Sequence, residues 1–168
     1  MIEMNSKISR KAVFIDLITR KPWLTPVIYT VYSLQGVTLS ELRENLGVRT
    51  SVVKRALWWL MKHGIVEKTG EKYIIAKDYT SIVDELFLNS CRVGKTFVFK
   101  IGSTYFIAVV RNSKITAYSV PEKYLKEASS LKLENVKPVE LSREAGIPVK
   151  LASRIIKLHS ILENCRKP

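Results

Sequence analysis

The chain has 168 residues, with 28 Lys and Arg against 15 Asp and Glu and a formal net charge of +13. Hydrophobic residues make up 46% of it, ample for ordered cores, which excludes a disordered basic tail. No apolar run reaches transmembrane length, and basicity of this size agrees with a nucleic-acid partner, although alone it would also suit RNA or an anionic membrane surface.

In chain order, residues 6–20 (SKISRKAVFIDLITR) predict an amphipathic helix. Ile8, Ala12, Ile15 and Ile18 share one stripe, with Lys7, Arg10, Lys11 and Arg20 elsewhere. Such a helix either packs across a dimer partner or closes its own domain. It does not read as a secretory leader, because Asp16 interrupts the apolar run and no small-residue cleavage site follows. Pro22 and Pro26 bracket a boundary, after which Val27, Ile28, Val31 and Leu34 predict the next helix.

Residues 38–68 (TLSELRENLGVRTSVVKRALWWLMKHGIVEK) are the most informative stretch. Thr38 and Glu41 predict a capping box, in which hydroxyl and carboxylate satisfy reciprocal backbone amides at a helix start. Leu39, Leu42 and Leu46 supply the buried side of that short helix, and Gly47 allows a sharp turn where a side chain would be strained. Val48, Val52, Val53, Ala56 and Leu60 then recur at helical spacing, His63-Gly64 ends the second helix, and Ile65-Val66 opens a strand. Ile65–Lys68 and Lys72–Ala76 predict a hairpin around Thr69-Gly70-Glu71. The order helix, Gly turn, helix, hairpin over residues 23–77 resembles the winged helix-turn-helix DNA-binding proteins.

That resemblance implies that the second helix enters the major groove with its N-terminal residues toward base edges. At about 100° per residue, the side opposite Ala56 carries Ser51, Lys54, Arg55, Trp58 and Lys62, with Thr50 at its edge. Thr50, Ser51 and Lys54 are the expected base-side contacts, and Arg55 suits either a base or a phosphate. Trp58 is expected to pack on the hairpin or another domain, while Trp59 and Leu60 read as core. Lys68 and Lys72 flank the hairpin tip and would position it on phosphates, although Glu67 and Glu71 weaken the local field.

The central segment differs in character. Ile82, Val83, Leu86 and Phe87 space a helix over 81–89, with Asp84 and Glu85 near its start. The runs KTFVFK, STYFIAVV and KITAYSV, separated by Gly102-Ser103 and Asn112-Ser113, predict an antiparallel meander. Its middle run, Tyr105 to Val110, is apolar on both faces and needs cover on each side, from helices or a partner chain. Residues 121–131 predict a further helix through Tyr124, Leu125 and Ala128.

Residues 138–162 (PVELSREAGIPVKLASRIIKLHSIL) repeat the earlier register at an offset of 99. Leu42 corresponds to Leu141, Gly47 to Gly146, Val48 to Ile147, Val52 to Leu151 and Arg55 to Arg154, while His159 stands where Leu60 stood. Pro138 and Pro148 suit helix starts, where a missing amide costs nothing. No hairpin pattern follows. The segment resembles a wingless helix-turn-helix, with Lys150, Ser153, Arg154 and Lys157 as the expected DNA contacts; a packing or dimerisation hairpin is the alternative.

The expected fold class is therefore α+β: an N-terminal winged helix-turn-helix, a central antiparallel β-meander with flanking helices, and a C-terminal helix-turn-helix. The expected divisions are 1–22, 23–78, 79–135 and 136–168. Residues 23–77 and 136–168 each carry +4, against +2 for 78–135, so the two reader segments are the more basic per residue. Catalysis is not expected: His63 and His159 have no metal-like spacing, and no phosphate-cradling Gly loop occurs. Cys91 and Cys165, 74 positions apart, read as lone thiols of a reducing, cytoplasmic setting. The expectation is a homodimeric transcriptional regulator on double-stranded DNA, with no cofactor, no metal and no membrane, and with room for a protein partner on the central segment. Replication or partition of a mobile element, or a non-catalytic protein-interaction subunit of transcription or replication machinery, are the alternatives.

Overall fold

In a computed structural model of the protein, residues 2–129, 133 and 135–166 are described. The expected helix end at Leu131 and the side chains of Lys7 and Ile8 lie outside the described residues. The architecture is α+β, with eight α-helices, a two-stranded hairpin and a four-stranded antiparallel sheet among the described residues.

Helix α1 (Ile2–Arg20) buries Phe14, Leu17 and Ile18, with Ile15 half-buried. The expected stripe is thus rotated: Ala12 is exposed, because Phe14 brings the larger apolar area and sets which face turns inward. The helix closes on its own chain. The Phe14 ring lies 6.3 Å from that of Tyr79, Lys11 pairs with Glu85 at 2.9 Å, and Arg10 with Asp78 at 3.5 Å. After a 3₁₀ turn at Pro22–Leu24, α2 (Thr25–Ser33) buries Val27, Ile28 and Val31 completely. Leu34, expected in that core, is 48% exposed, because the helix has already ended at Ser33 and the chain turns through Gln35 and Gly36, both at positive φ.

Helix α3 (Leu39–Leu46) starts on Thr38, whose Oγ accepts the Glu41 amide at 3.2 Å. The reciprocal half of the expected box differs: the Glu41 carboxylate accepts from the Thr38 hydroxyl at 3.1 Å instead of reaching the Thr38 amide. Gly47 closes the helix in the left-handed region at φ 70°, its N–H on the Arg43 carbonyl. Helix α4 (Thr50–Lys62) then buries Val53, Ala56, Leu57 and Leu60, and strands β1 (Val66–Thr69) and β2 (Lys72–Ile75) pair as the predicted hairpin. A 3₁₀ turn at Lys77–Tyr79 leads into α5 (Thr80–Leu88).

Strands β3 (Cys91–Val93), β4 (Thr96–Ile101), β5 (Thr104–Arg111) and β6 (Lys114–Pro121) form a meander in sequential order. Helices α6 (Glu122–Ser129), α7 (Pro138–Ala145) and α8 (Val149–Arg166) complete the chain. The two faces of β5 go to two different cores, as period-2 alternation dictates. Phe106, Ala108 and Val110 join Phe97 and Phe99 against α1 to α5. Ile107 and Val109 join Val98 and Val120 against Leu141, Ala152, Ile155, Leu158 and Ile161 of α7 and α8. The doubly apolar middle strand is thus covered by helices of its own chain on both sides.

The C-terminal pair repeats the α3–α4 geometry at its turn. Gly146 ends α7 at φ 65° with its N–H on Ser142, as Gly47 does on Arg43. The likeness fades along α8, whose buried face passes through Ala152 and Ile155 to Leu158 and Ile161, leaving His159 half-buried. The four-stranded sheet, rather than a helix bundle, receives this face. The far end of α8 meets the β3 edge, where Cys91 and Cys165 form a disulfide with Cα atoms 6.1 Å apart. The two cysteines read as lone thiols are therefore partners, and they no longer argue for a reducing compartment.

Candidate nucleic-acid interface

The solvent face of α4 is set by its buried stripe. With Val53, Ala56, Leu57 and Leu60 inside, the 3.6-residue period leaves Ser51, Lys54, Arg55, Trp58, Met61 and Lys62 outside and Thr50 half-exposed. Lys54 stands clear among the described residues. Arg55 does not: its guanidinium lies 5.2 Å from the centre of the Trp23 ring. Lys62 Nζ sits 4.8 Å from the Trp58 ring and 5.2 Å from that of Trp59, and Lys21 Nζ lies 4.2 Å from the Trp59 ring. Cations held over aromatic faces keep their charge available while the stem is ordered.

One expectation about the tryptophans is corrected. Trp58 is 55% exposed and makes an edge-to-face contact with Trp59 rather than packing on the hairpin or another domain. Its position on the outer face of α4 turns it away from β1 and β2. Trp59, as expected, packs against the core, where it is half-buried and stacked on His63 with ring centres 6.2 Å apart.

The start of α4 has a neighbour that no local pattern announces. The Arg49 N–H donates to the Ser113 carbonyl at 3.1 Å, which docks the β5–β6 turn against the first turn of the helix. Asn112 and Ser113 both adopt positive φ, at 53° and 62°, the left-handed pair that matches the twist of a two-residue hairpin. Between the helix and the hairpin lies a cleft of about 490 Å³, lined by Trp23, Arg49, Ser51, Val52, Arg55 and the start of β6 from Lys114 to Thr116. Among the described residues no side chain caps α4; the Arg49 amide goes to Ser113, and the Val52 N–H turns back to the Arg49 carbonyl at 3.0 Å.

On the other face of the sheet, Lys150, Ser153, Arg154 and Lys157 gather with Tyr118, Pro138 and Val149 around a cleft of about 380 Å³. Lys150 and Ser153 are exposed, whereas Arg154 and Lys157 are half-buried. The Arg154 guanidinium lies 4.9 Å from the centre of the Tyr118 ring. Burial raises the Tyr118 phenol above its ordinary pKa, and Arg154 and Arg111 oppose that rise. Its hydroxyl, buried without a hydrogen-bond partner, keeps its proton and remains a donor.

At the hairpin, Lys68 and Lys72 are exposed as expected, and Lys68 Nζ lies 5.6 Å from the Tyr73 ring. The structure thus gathers Ser51 and Arg55 in one cleft and Lys150, Ser153, Arg154 and Lys157 in a second. Lys62 stands apart at the far end of α4, and Lys68 and Lys72 on the hairpin. Sequence reasoning passed over Arg49 and Lys114, because both owe their place to the long-range docking of the β5–β6 turn. Among the described residues no three His, Cys, Asp or Glu side chains gather to hold a metal ion, and no helix is long and apolar enough to cross a membrane. Comparison with family models, with curated proteins and with solved structures finds no match for this chain.

Proposed function

We propose that the protein binds double-stranded DNA through a winged helix-turn-helix formed by α2, α3, α4 and the β1–β2 hairpin, and acts as a homodimeric transcriptional regulator. The observation that carries this reading is the outer face of α4. Ser51, Lys54, Arg55 and Lys62 project from the second helix of a Gly-turned pair whose opposite face is wholly buried. A helix presented in this way suits a major groove, with Lys54 and Arg55 offering donors to base edges or phosphates. The net charge of +13 supplies the long-range attraction. One recognition helix covers few base pairs, and a two-fold pair of protomers extends the site.

The α7–α8 pair is the second reader, with Lys150, Ser153, Arg154 and Lys157 as its contacts. Its apolar face is already used within the chain, against the sheet, which favours DNA over dimer packing for the face that remains. The test is a duplex titration of Lys54→Ala and Arg55→Ala beside wild type, with folding followed in parallel.

A protein-interaction role is the second reading, favoured by Trp58 and Met61, which are 55% and 42% exposed on the same face of α4. A partner protein held there would be released by Trp58→Ala, whereas DNA affinity would respond first to Lys54 and Arg55.

A further inference from the structure

The two clefts described above meet the same strand. The cleft beside α4 reaches Lys114, Ile115 and Thr116, and the cleft beside α8 reaches Tyr118, two residues further along β6. At about 3.4 Å per residue this is a step of roughly 7 Å. One cleft opens on the α1–α5 side of the sheet, with Trp23, Val52 and Ile115 at its base, and the other on the α7–α8 side. Strand β6 is the last in the sheet order and has no strand on its outer side. Both basic helix faces therefore flank one open edge.

The charge along this edge has one sign. Among the described residues the clefts hold six cations, Arg49, Arg55 and Lys114 on one side and Lys150, Arg154 and Lys157 on the other, and no carboxylate lines either. None of the six forms an ion pair among the described residues. Glu122, the carboxylate that follows β6, is engaged with Lys100 at 2.8 Å.

We infer that the outer edge of β6 and the two clefts beside it form one continuous duplex-DNA surface, on which both helix pairs of a single protomer engage the same duplex and Lys114, in the cleft beside α4, contacts a phosphate. This rests on the reading of the chain as a DNA-binding protein and deepens it. A rod with phosphate ridges is the occupant that fits a strip of unpaired cations spanning a sheet edge. A second copy pairing edge to edge through β6 would bring like charges together, the arrangement by which open edges resist self-association.

The experiment is a duplex titration at several salt concentrations with wild type, Lys114→Ala, Lys114→Glu, Arg154→Ala and Lys54→Ala. Thermal melts and sedimentation without DNA are run on each. Lys114→Ala should weaken binding severalfold and shallow the log–log salt slope by about 1. Lys114→Glu should weaken it further, with melts and sedimentation unchanged in both. Arg154→Ala should weaken binding to the same duplex that Lys54→Ala affects. If wild type binds and Lys54→Ala weakens binding while both Lys114 variants match wild type, the edge is not part of the surface. Sedimentation that shifts on Lys114→Glu in the absence of DNA overturns the inference too, by making the edge a contact between copies. Absence of duplex binding by wild type overturns instead the reading beneath it.

Discussion

Lys54 and Arg55 are adjacent on α4 but differ in what holds them. Lys54 is exposed without an aromatic neighbour, whereas Arg55 is seated over Trp23 and lines the cleft toward Lys114. Truncating either to Ala should weaken duplex binding by roughly 1–3 kcal/mol where the lost contact is to a base. Lys54→Ala should leave stability unchanged, while Arg55→Ala should also lower the melting temperature slightly, because the Trp23 ring loses its cation. Duplex titrations and thermal melts on both variants check this. Lys100 and Glu122 supply a pH test of a different kind. Hydrogen bonding to Lys100 holds the Glu122 carboxyl below its ordinary pKa, and hydrogen bonding to Glu122 raises that of Lys100. A lowered carboxylate adds stability above its unfolded pKa and loses it as pH falls through the folded value. A raised amine adds stability below its unfolded pKa and loses it as pH rises through the folded value. The stability difference between wild type and Glu122→Gln should therefore be largest near neutrality and shrink at both acid and strongly alkaline pH, in melts across that range.

At the level of elements, α8 is the decisive case. Ile155 is fully buried against the sheet, so Ile155→Ala should cost about 2–5 kcal/mol of folding stability rather than dissociate a dimer. Denaturant unfolding and sedimentation on that variant separate the two. The disulfide between β3 and the end of α8 closes a loop of 74 positions, and in the chain-entropy account its loss should destabilise by about 4 kcal/mol. Unfolding of Cys91→Ser/Cys165→Ser against wild type measures this. Both Gly-turned helix pairs were legible because a left-handed residue between two apolar periodicities is a local signal, carried by Gly47 and Gly146 themselves. The meander was legible through three β-rich runs set apart by the local turn residues Gly102-Ser103 and Asn112-Ser113. Strand β3 was not, since three residues carry no period. Neither was the Cys91–Cys165 pairing, because spacing alone does not bring distant thiols together, nor the rotation of α1, where two overlapping apolar stripes compete and Phe14 decides.

On the scale of the whole molecule, the sheet is a partition with α1 to α5 on one face and α7 and α8 on the other, and its β6 edge is where both basic helix faces come out. Individual charges at the candidate site were readable from the helical period, but their assembly along one edge depends on the docking of the β5–β6 turn on Arg49, a contact between residues more than sixty positions apart. Electrostatics then links the scales, because a surface that neutralises several phosphates releases the counterions condensed on them. The central claim is that this chain is a duplex-DNA-binding protein, and the measurement that tests it most directly is equilibrium duplex affinity as a function of salt. That affinity should fall with a log–log slope on the order of −4 to −8 for a homodimer; an affinity nearly independent of salt, or none at low salt, would mean that the chain does not bind duplex DNA in this way.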